Sequence, residues 1–176
     1  MAQLIVTAVG PDRPGIVGEL TGHLHQAGAN LLDSRMVNLR GQFAMLVLFE
    51  VANDIMTRMK ADLPAAGLKM GLTLSVSEQS AAAAPASSGL KYRLKTYSLD
   101  QPGIVAKLSA LLRKHSVNIE ELSAWQESAG FSGEALFLTE MQLTVPRTVA
   151  LRQLRSELDQ VCNELNCDLD LEPADS

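Results

Sequence analysis

The sequence is poor in aromatic residues, in cysteine and in basic charge, and each shortage closes off a class of function. Phe, Trp and Tyr make up 4% of the 176 residues, with one tryptophan. A sheet face that reads RNA needs aromatic platforms on its central strands, which so few rings cannot supply. Lys and Arg total 15 against 20 Asp and Glu, for a net charge of −5. Direct nucleic-acid binding calls for a basic excess or stripe, so this balance argues against it. Cys162 and Cys167 are too few for a disulfide framework and have no neighbouring histidine to make a metal site. They read as reduced intracellular thiols. The longest apolar run, Phe43 to Phe49, has seven residues, against the roughly 20 a membrane helix needs. Met1-Ala2-Gln3 leads into a strand without a basic or apolar leader. The expectation is a cytoplasmic protein with no membrane contact, and no residue pattern implies a cofactor.

What is present is a repeat. Val9-Gly10-Pro11-Asp12-Arg13-Pro14-Gly15-Ile16-Val17 follows a short apolar run and opens a helical pattern, and it returns as Leu99-Asp100-Gln101-Pro102-Gly103-Ile104-Val105. From Asp12 to Arg35 the copies align without a gap at an offset of 88, with eight of 24 positions identical. A repeat of this length in a chain of this size predicts two small modules.

Each module predicts the order βαββαβ, a ferredoxin-like α+β fold with an antiparallel sheet and helices on one face. In the first, Leu4 to Val9 is a strand apolar on both faces and a helix spans about Arg13 to Ala27, capped by Asp12 or Arg13. Asn30 to Leu39 is a strand whose Asp33 and Arg35 suit a sheet edge. Gly41 turns a hairpin into Phe43 to Val51, a second helix starts near Asn53 and stops around Pro64, and Leu68 to Val76 is the last strand. Residues 77–89, rich in Ala and Ser, predict a linker. The modules are then 1–76 and 90–172. In the second, the hairpin lengthens through Ser128 to Gly133, and Lys91, Arg93 and Lys95 alternate along the first strand as a solvated or Glu140-paired face. Helices cover one sheet face only, so Ile5, Thr7, Val9 and one side of Phe43 to Val51 predict a surface that pairs with another module or subunit.

The repeated turn has chemistry to offer. A helix N-terminus presents unpaired N–H groups and partial positive charge to a carboxylate or phosphate. Gly15 and Gly103 have no Cβ to block approach, and Asn30 and Asn118 both donate and accept. A small amino acid, with one carboxylate and one ammonium, fits that set. The same residues equally well build a tight turn and a cap with no ligand, and the pattern leaves both readings open.

The Asp-Arg-Pro-Gly-Ile-Val turn in a βαββαβ setting looks like the ACT domain, a regulatory module that binds amino acids between modules. Two such repeats cover nearly the whole chain. Thr7 to Val17 followed by Asp33-Ser34-Arg35, with Asn118-Ile119-Glu120-Glu121-Leu122 and Cys162-Asn163-Glu164-Leu165-Asn166 in the second half, resembles the glycine cleavage system transcriptional repressor family. That resemblance implies a repressor that antagonises a transcriptional activator by protein contact, with glycine or a similar amino acid as signal. It implies ligand contacts at Asp12, Arg13, Pro14, Gly15, Ile16 and Asn30, with counterparts Asp100, Gln101, Pro102, Gly103, Ile104 and Asn118. Arg13 becomes Gln101, so two such sites would not be equivalent. ACT pairs also sit in front of amino-acid metabolic enzymes, and a ligand-free assembly module has the same outline.

An enzyme is not expected. His23 and His25 point to different faces of one helix and His115 stands alone in sequence, with no acid at a catalytic spacing. The Gly10 to Gly15 loop lacks the arginine-bearing pattern of acylphosphatases and the paired cysteines of copper chaperones.

Overall fold

The computed structural model describes residues 1–79, 88–128 and 135–174. The chain divides into two compact units, 1–83 and 84–176. In the first unit β1 (Ala2–Pro11), α1 (Ile16–Gln26), β2 (Asn30–Leu39), β3 (Gln42–Val51), α2 (Asn53–Met70) and β4 (Thr73–Glu78) follow in turn. The second unit repeats this order as β5 (Gly89–Leu99), α3 (Ile104–Lys114), β6 (Asn118–Ser128), β7 (Ala135–Pro146), α4 (Leu151–Glu164) and β8 (Cys167–Pro173). The sheets are ordered β2-β3-β1-β4 and β6-β7-β5-β8, with every pairing antiparallel. Each is the ferredoxin-like arrangement, and the two runs apolar on both faces are the central strands.

Side-chain alternation explains the layers. In β1, Leu4, Val6 and Ala8 are buried, and in β3 so are Phe43, Met45, Val47, Phe49 and Val51. They pack against Ile16, Leu20 and Leu24 of α1 and Met59 and Leu63 of α2. The second core repeats this with Leu94, Met141, Leu143, Leu108, Leu112, Leu154 and Leu158. The edge strands β2 and β6 each carry an extra residue at their third position, between Leu31 and Asp33 and between Ile119 and Glu121. These bulges sit at positions related by the same offset of 88.

Several boundaries differ from the sequence expectation. The first helix begins at Ile16, because Gly15 takes φ 87° and ψ −8°. With Pro14 ahead of it, this is the third-position geometry of a type II turn, which no helical residue can share. Asp12 and Arg13 therefore precede the helix and do not cap it. The second helix runs through Pro64 to Met70 and ends at a left-handed Gly71. Pro64 lies on the exposed side of the helix, where its ring meets solvent, while Leu63 and Gly67 stay buried against the sheet. Leu68 consequently belongs to the helix, not to the last strand. Ser77 and Glu78, placed in the linker from sequence, end β4: Glu78 lies opposite Leu4. Gly89 opens β5 opposite Pro146. The expected long hairpin, 128–133, falls mostly outside the described residues.

The first hairpin is tight. Arg40 and Gly41 both take positive φ, 51° and 85°, the signature of a two-residue type I′ turn.

Candidate functional site

In the first unit the turn is held by four bonds. The Asp12 N–H donates to the Gly41 carbonyl at 2.8 Å. The Asn38 amide donates to the Asp12 carboxylate. The Gly41 N–H donates to Asn38 Oδ1 at 3.1 Å, which closes a ring through the hairpin tip. The Arg13 guanidinium donates to the Met70 carbonyl at the C-terminal end of α2, at 3.1 Å. Arg13 also grips Glu19 with both terminal nitrogens, at 2.7 and 2.6 Å. That hydrogen-bonded pair lowers the Glu19 carboxyl below its ordinary range and raises the guanidinium above its own.

The second unit keeps the frame with other residues. The Asp100 N–H donates to the Ala135 carbonyl at 3.1 Å. Gln126 donates to the Asp100 carboxylate at 2.7 Å. Gln101 donates to the Leu165 carbonyl at the end of α4. Gly103, at φ 94° and ψ 0°, repeats the type II geometry before Ile104. The replacement of Arg13 by Gln101 is matched by a second change, since Lys107 stands where Glu19 does. An arginine facing Lys107 would be repelled, whereas a neutral amide still reaches the helix end.

Neither α1 nor α3 has a side-chain cap. In the first unit the Ile16 N–H closes the turn on the Arg13 carbonyl at 3.4 Å, so the N–H groups of Val17 and Gly18 are the ones an anion would meet. Asp12, Arg13, Pro14, Gly15 and Ile16 lie together, as do Asp100, Gln101, Pro102, Gly103 and Ile104. Asn30 and Asn118 do not join them. Along β3, Gln42 lies opposite Pro11 and Glu50 opposite Asn30, eight residues or about 26 Å apart at strand rise. Asn118 lies opposite Thr144, whereas Asp100 bonds near Ala135, at the other end of β7. The reason is that α1 and α3 carry the chain back along the sheet before the next strand begins. Asn30 donates instead to Glu50 Oε1 at 3.1 Å. It lines a pocket of about 430 Å³ with Gly18, Thr21, Gly22 and His25 of α1.

Several site partners were invisible to a local reading. Asn38 and Gln126 lie three positions past the aligned stretch, yet they keep its offset of 88. Extending the alignment to polar residues would have found them. His115 also has a partner, contrary to the sequence expectation: its Nε2 lies 3.1 Å from Glu157 Oε2, which Lys114 reaches at 2.8 Å. This cluster ties the end of α3 to α4. Lys114, His115 and Gln153 together hold the Glu157 carboxyl down to about 2. On the open face of the second sheet, Lys91 pairs with Glu120 at 3.6 Å and Arg93 with Glu172 at 3.3 Å. Glu140 is not the partner of either; it faces Lys95 across the strands. Burial and the neighbouring Cys167 push the Cys162 thiol up to about 12, which makes it inert. No group of three or more His, Cys, Asp or Glu among the described residues is placed to hold a metal. No helix among them is long and apolar enough to cross a membrane.

Comparison with known proteins agrees with this geometry. The ACT domain family model matches residues 2–77. A UPF0237 protein of Methanopyrus kandleri is 32% identical over 45% of this chain and 90% of its own length. The chain belongs to the ACT-domain family. Its second unit repeats the ACT topology strand for strand, so the protein is a tandem ACT-domain chain. The glycine cleavage system transcriptional repressor of Escherichia coli K12 is 26% identical over 93% of this chain and 85% of its own. A crystal structure of an unknown protein from Galdieria sulphuraria is similar over 99% of both chains, at 30% identity and a TM-score of 0.79. The succession of two such modules is therefore shared with proteins of similar length.

Proposed function

We propose that this tandem ACT protein is an amino-acid-responsive repressor of the glycine cleavage system that acts by contacting a transcriptional activator. The observation that carries this reading is the match to the Escherichia coli repressor, which runs through both modules and not through one ACT unit alone. The signal is glycine or a similarly small amino acid. Its carboxylate would meet the uncapped N–H groups after Gly15, and its ammonium would find an acceptor at the carboxylate of Asp12. Asn30 lies about 26 Å from the turn of its own module by strand rise, so it takes no part in that seat. Ligand binding then favours one state of the chain over another, and that difference in affinity is what regulation requires. The two sites are not equivalent, since Arg13 is paired with Glu19 whereas Gln101 has Lys107 in that place.

A second reading is favoured by one observation: Asp12, Arg13, Asp100 and Gln101 all find partners inside their own modules. On that reading the turn is only a brace and the protein an assembly module without a ligand. Isothermal titration of the full chain with glycine, serine and other amino acids separates the two. The regulator gives saturable heat and a higher Tm with at least one of them; a flat response to every amino acid leaves only the brace.

A further inference from the structure

The two ACT sheets present unlike open faces at the same row. In the first unit that row reads Val37, Ala44, Val9 and Thr73 across β2, β3, β1 and β4. In the second it reads Trp125, Leu138, Tyr97 and Asp168 across β6, β7, β5 and β8. Register neighbours on one face stand close enough to form a continuous surface. Trp125 is 42% exposed, Tyr97 44% and Leu99 54%, so the sole tryptophan and a tyrosine lie open beside two leucines.

Charge distinguishes this end of the sheet from the other. Away from the rings the cations are matched, Lys91 with Glu120 and Arg93 with Glu172. Beside the rings, Glu140, Lys95 and Asp170 share the next row and Asp168 flanks Tyr97. Three carboxylates there face one lysine, and among the described residues none of the three is in an ion pair. The corresponding positions of the first sheet carry no such acids: Thr73 and Ser75 stand on β4 where Asp168 and Asp170 stand on β8. An apolar aromatic centre with an acidic rim is the complement of a basic amphipathic segment. Leucines of such a segment would cover Leu138 and Leu99, and its guanidinium groups would stack on Trp125 and Tyr97 while meeting Asp168 and Asp170.

We propose that the Trp125–Leu138–Tyr97–Asp168 end of the second sheet is a docking surface for a basic amphipathic segment of a partner protein. This goes beyond the amino-acid seat and does not depend on it.

Trp125 supplies its own reporter, because a tryptophan-free peptide leaves it as the only indole in solution. The probe is a leucine–arginine amphipathic peptide about five helical turns long, titrated into the full chain, with the same peptide carrying Glu for Arg as control. The expected result is a saturable change in Trp125 emission with the arginine peptide, weakened by added salt and absent with the glutamate peptide. Affinity falls about tenfold in the Asp168→Asn/Asp170→Asn chain and again in Tyr97→Ser. It is unchanged in Val9→Ser, which alters the same row of the first sheet. Circular dichroism confirms that each variant is folded. Unchanged emission, equal affinity for both peptides, or full affinity in the Asp168→Asn/Asp170→Asn chain overturns the proposal. So does a shift from dimer to monomer in Tyr97→Ser on sedimentation, which would assign the face to a second copy of the chain.

Discussion

The Asp12 carboxylate accepts a hydrogen bond from the Asn38 amide, and the same bond recurs between Asp100 and Gln126 with a side chain one methylene longer. In both modules it joins the turn before the first helix to the edge strand. In the first module it also closes the ring through Gly41, so the turn cannot shift without the hairpin tip.

Asn38→Ala removes one donor to a charged but exposed acceptor, and the expected loss is about 1 kcal/mol of stability in urea unfolding. Hydrogen exchange of the Gly41 amide should accelerate, because its acceptor goes with the side chain. Asn38→Asp should cost more at neutral pH than Asn38→Ala, since it sets two carboxylates together, and should recover as the solution is acidified. An Asn38→Asp chain as stable at neutral pH as the parent would show that the bond is not made.

The glycines of the first module divide into two groups with opposite expected signs. A Cβ on Gly67 would stand 2.5 Å from Leu74 Cγ and 2.9 Å from the Leu72 carbonyl, so Gly67→Ala must push α2 off β4. The expected cost is about 1–3 kcal/mol. Gly18 and Gly22 lie inside α1 and have no atom within 4 Å of an added Cβ. Gly18→Ala and Gly22→Ala should therefore each stabilise by about 0.5–1 kcal/mol through helix propensity alone. Ala106 and Ala110 already occupy these positions in the second module. Thermal unfolding of the three variants gives the signs directly.

Acid should weaken the second module through Glu157. Its carboxyl is held from an ordinary value of 4.5 down to about 2 by Lys114, His115 and Gln153. The unfolded chain takes up this proton first as pH falls, so the stabilisation is complete above about pH 4.5 and is lost between there and about pH 2. Glu157→Gln should flatten that part of the stability-against-pH curve, read as urea midpoints across the range. An unchanged slope would mean the cluster does not persist in solution.

Much of this was legible in the chain itself. Hydrophobic alternation in Leu4 to Val9 and Phe43 to Val51 marked the central strands, because only a central strand buries one face and still shows an apolar second one. The repeated Pro-Gly marked the turn. What periodicity could not convey was the conformation of Gly15: a left-handed residue ends any helix that would begin at Arg13. Pro64 misled for the opposite reason, since its ring meets solvent on the exposed side and the helix continues. The separation of Asn30 from the turn was hidden because eighteen residues of sequence include a helix that reverses direction. Asn38 and Gln126 escaped notice because a hydrogen bond tolerates Asn or Gln, whereas an identity count does not.

The proposed regulator senses a small amino acid and sets the output of the glycine cleavage genes. Transcript levels of those genes, measured with and without glycine in the parent strain and in a strain lacking this chain, test it most directly. Low transcript without glycine in the parent, induction by glycine, and high transcript under both conditions when the chain is absent are expected. Transcript that responds to glycine equally in both strains would contradict it.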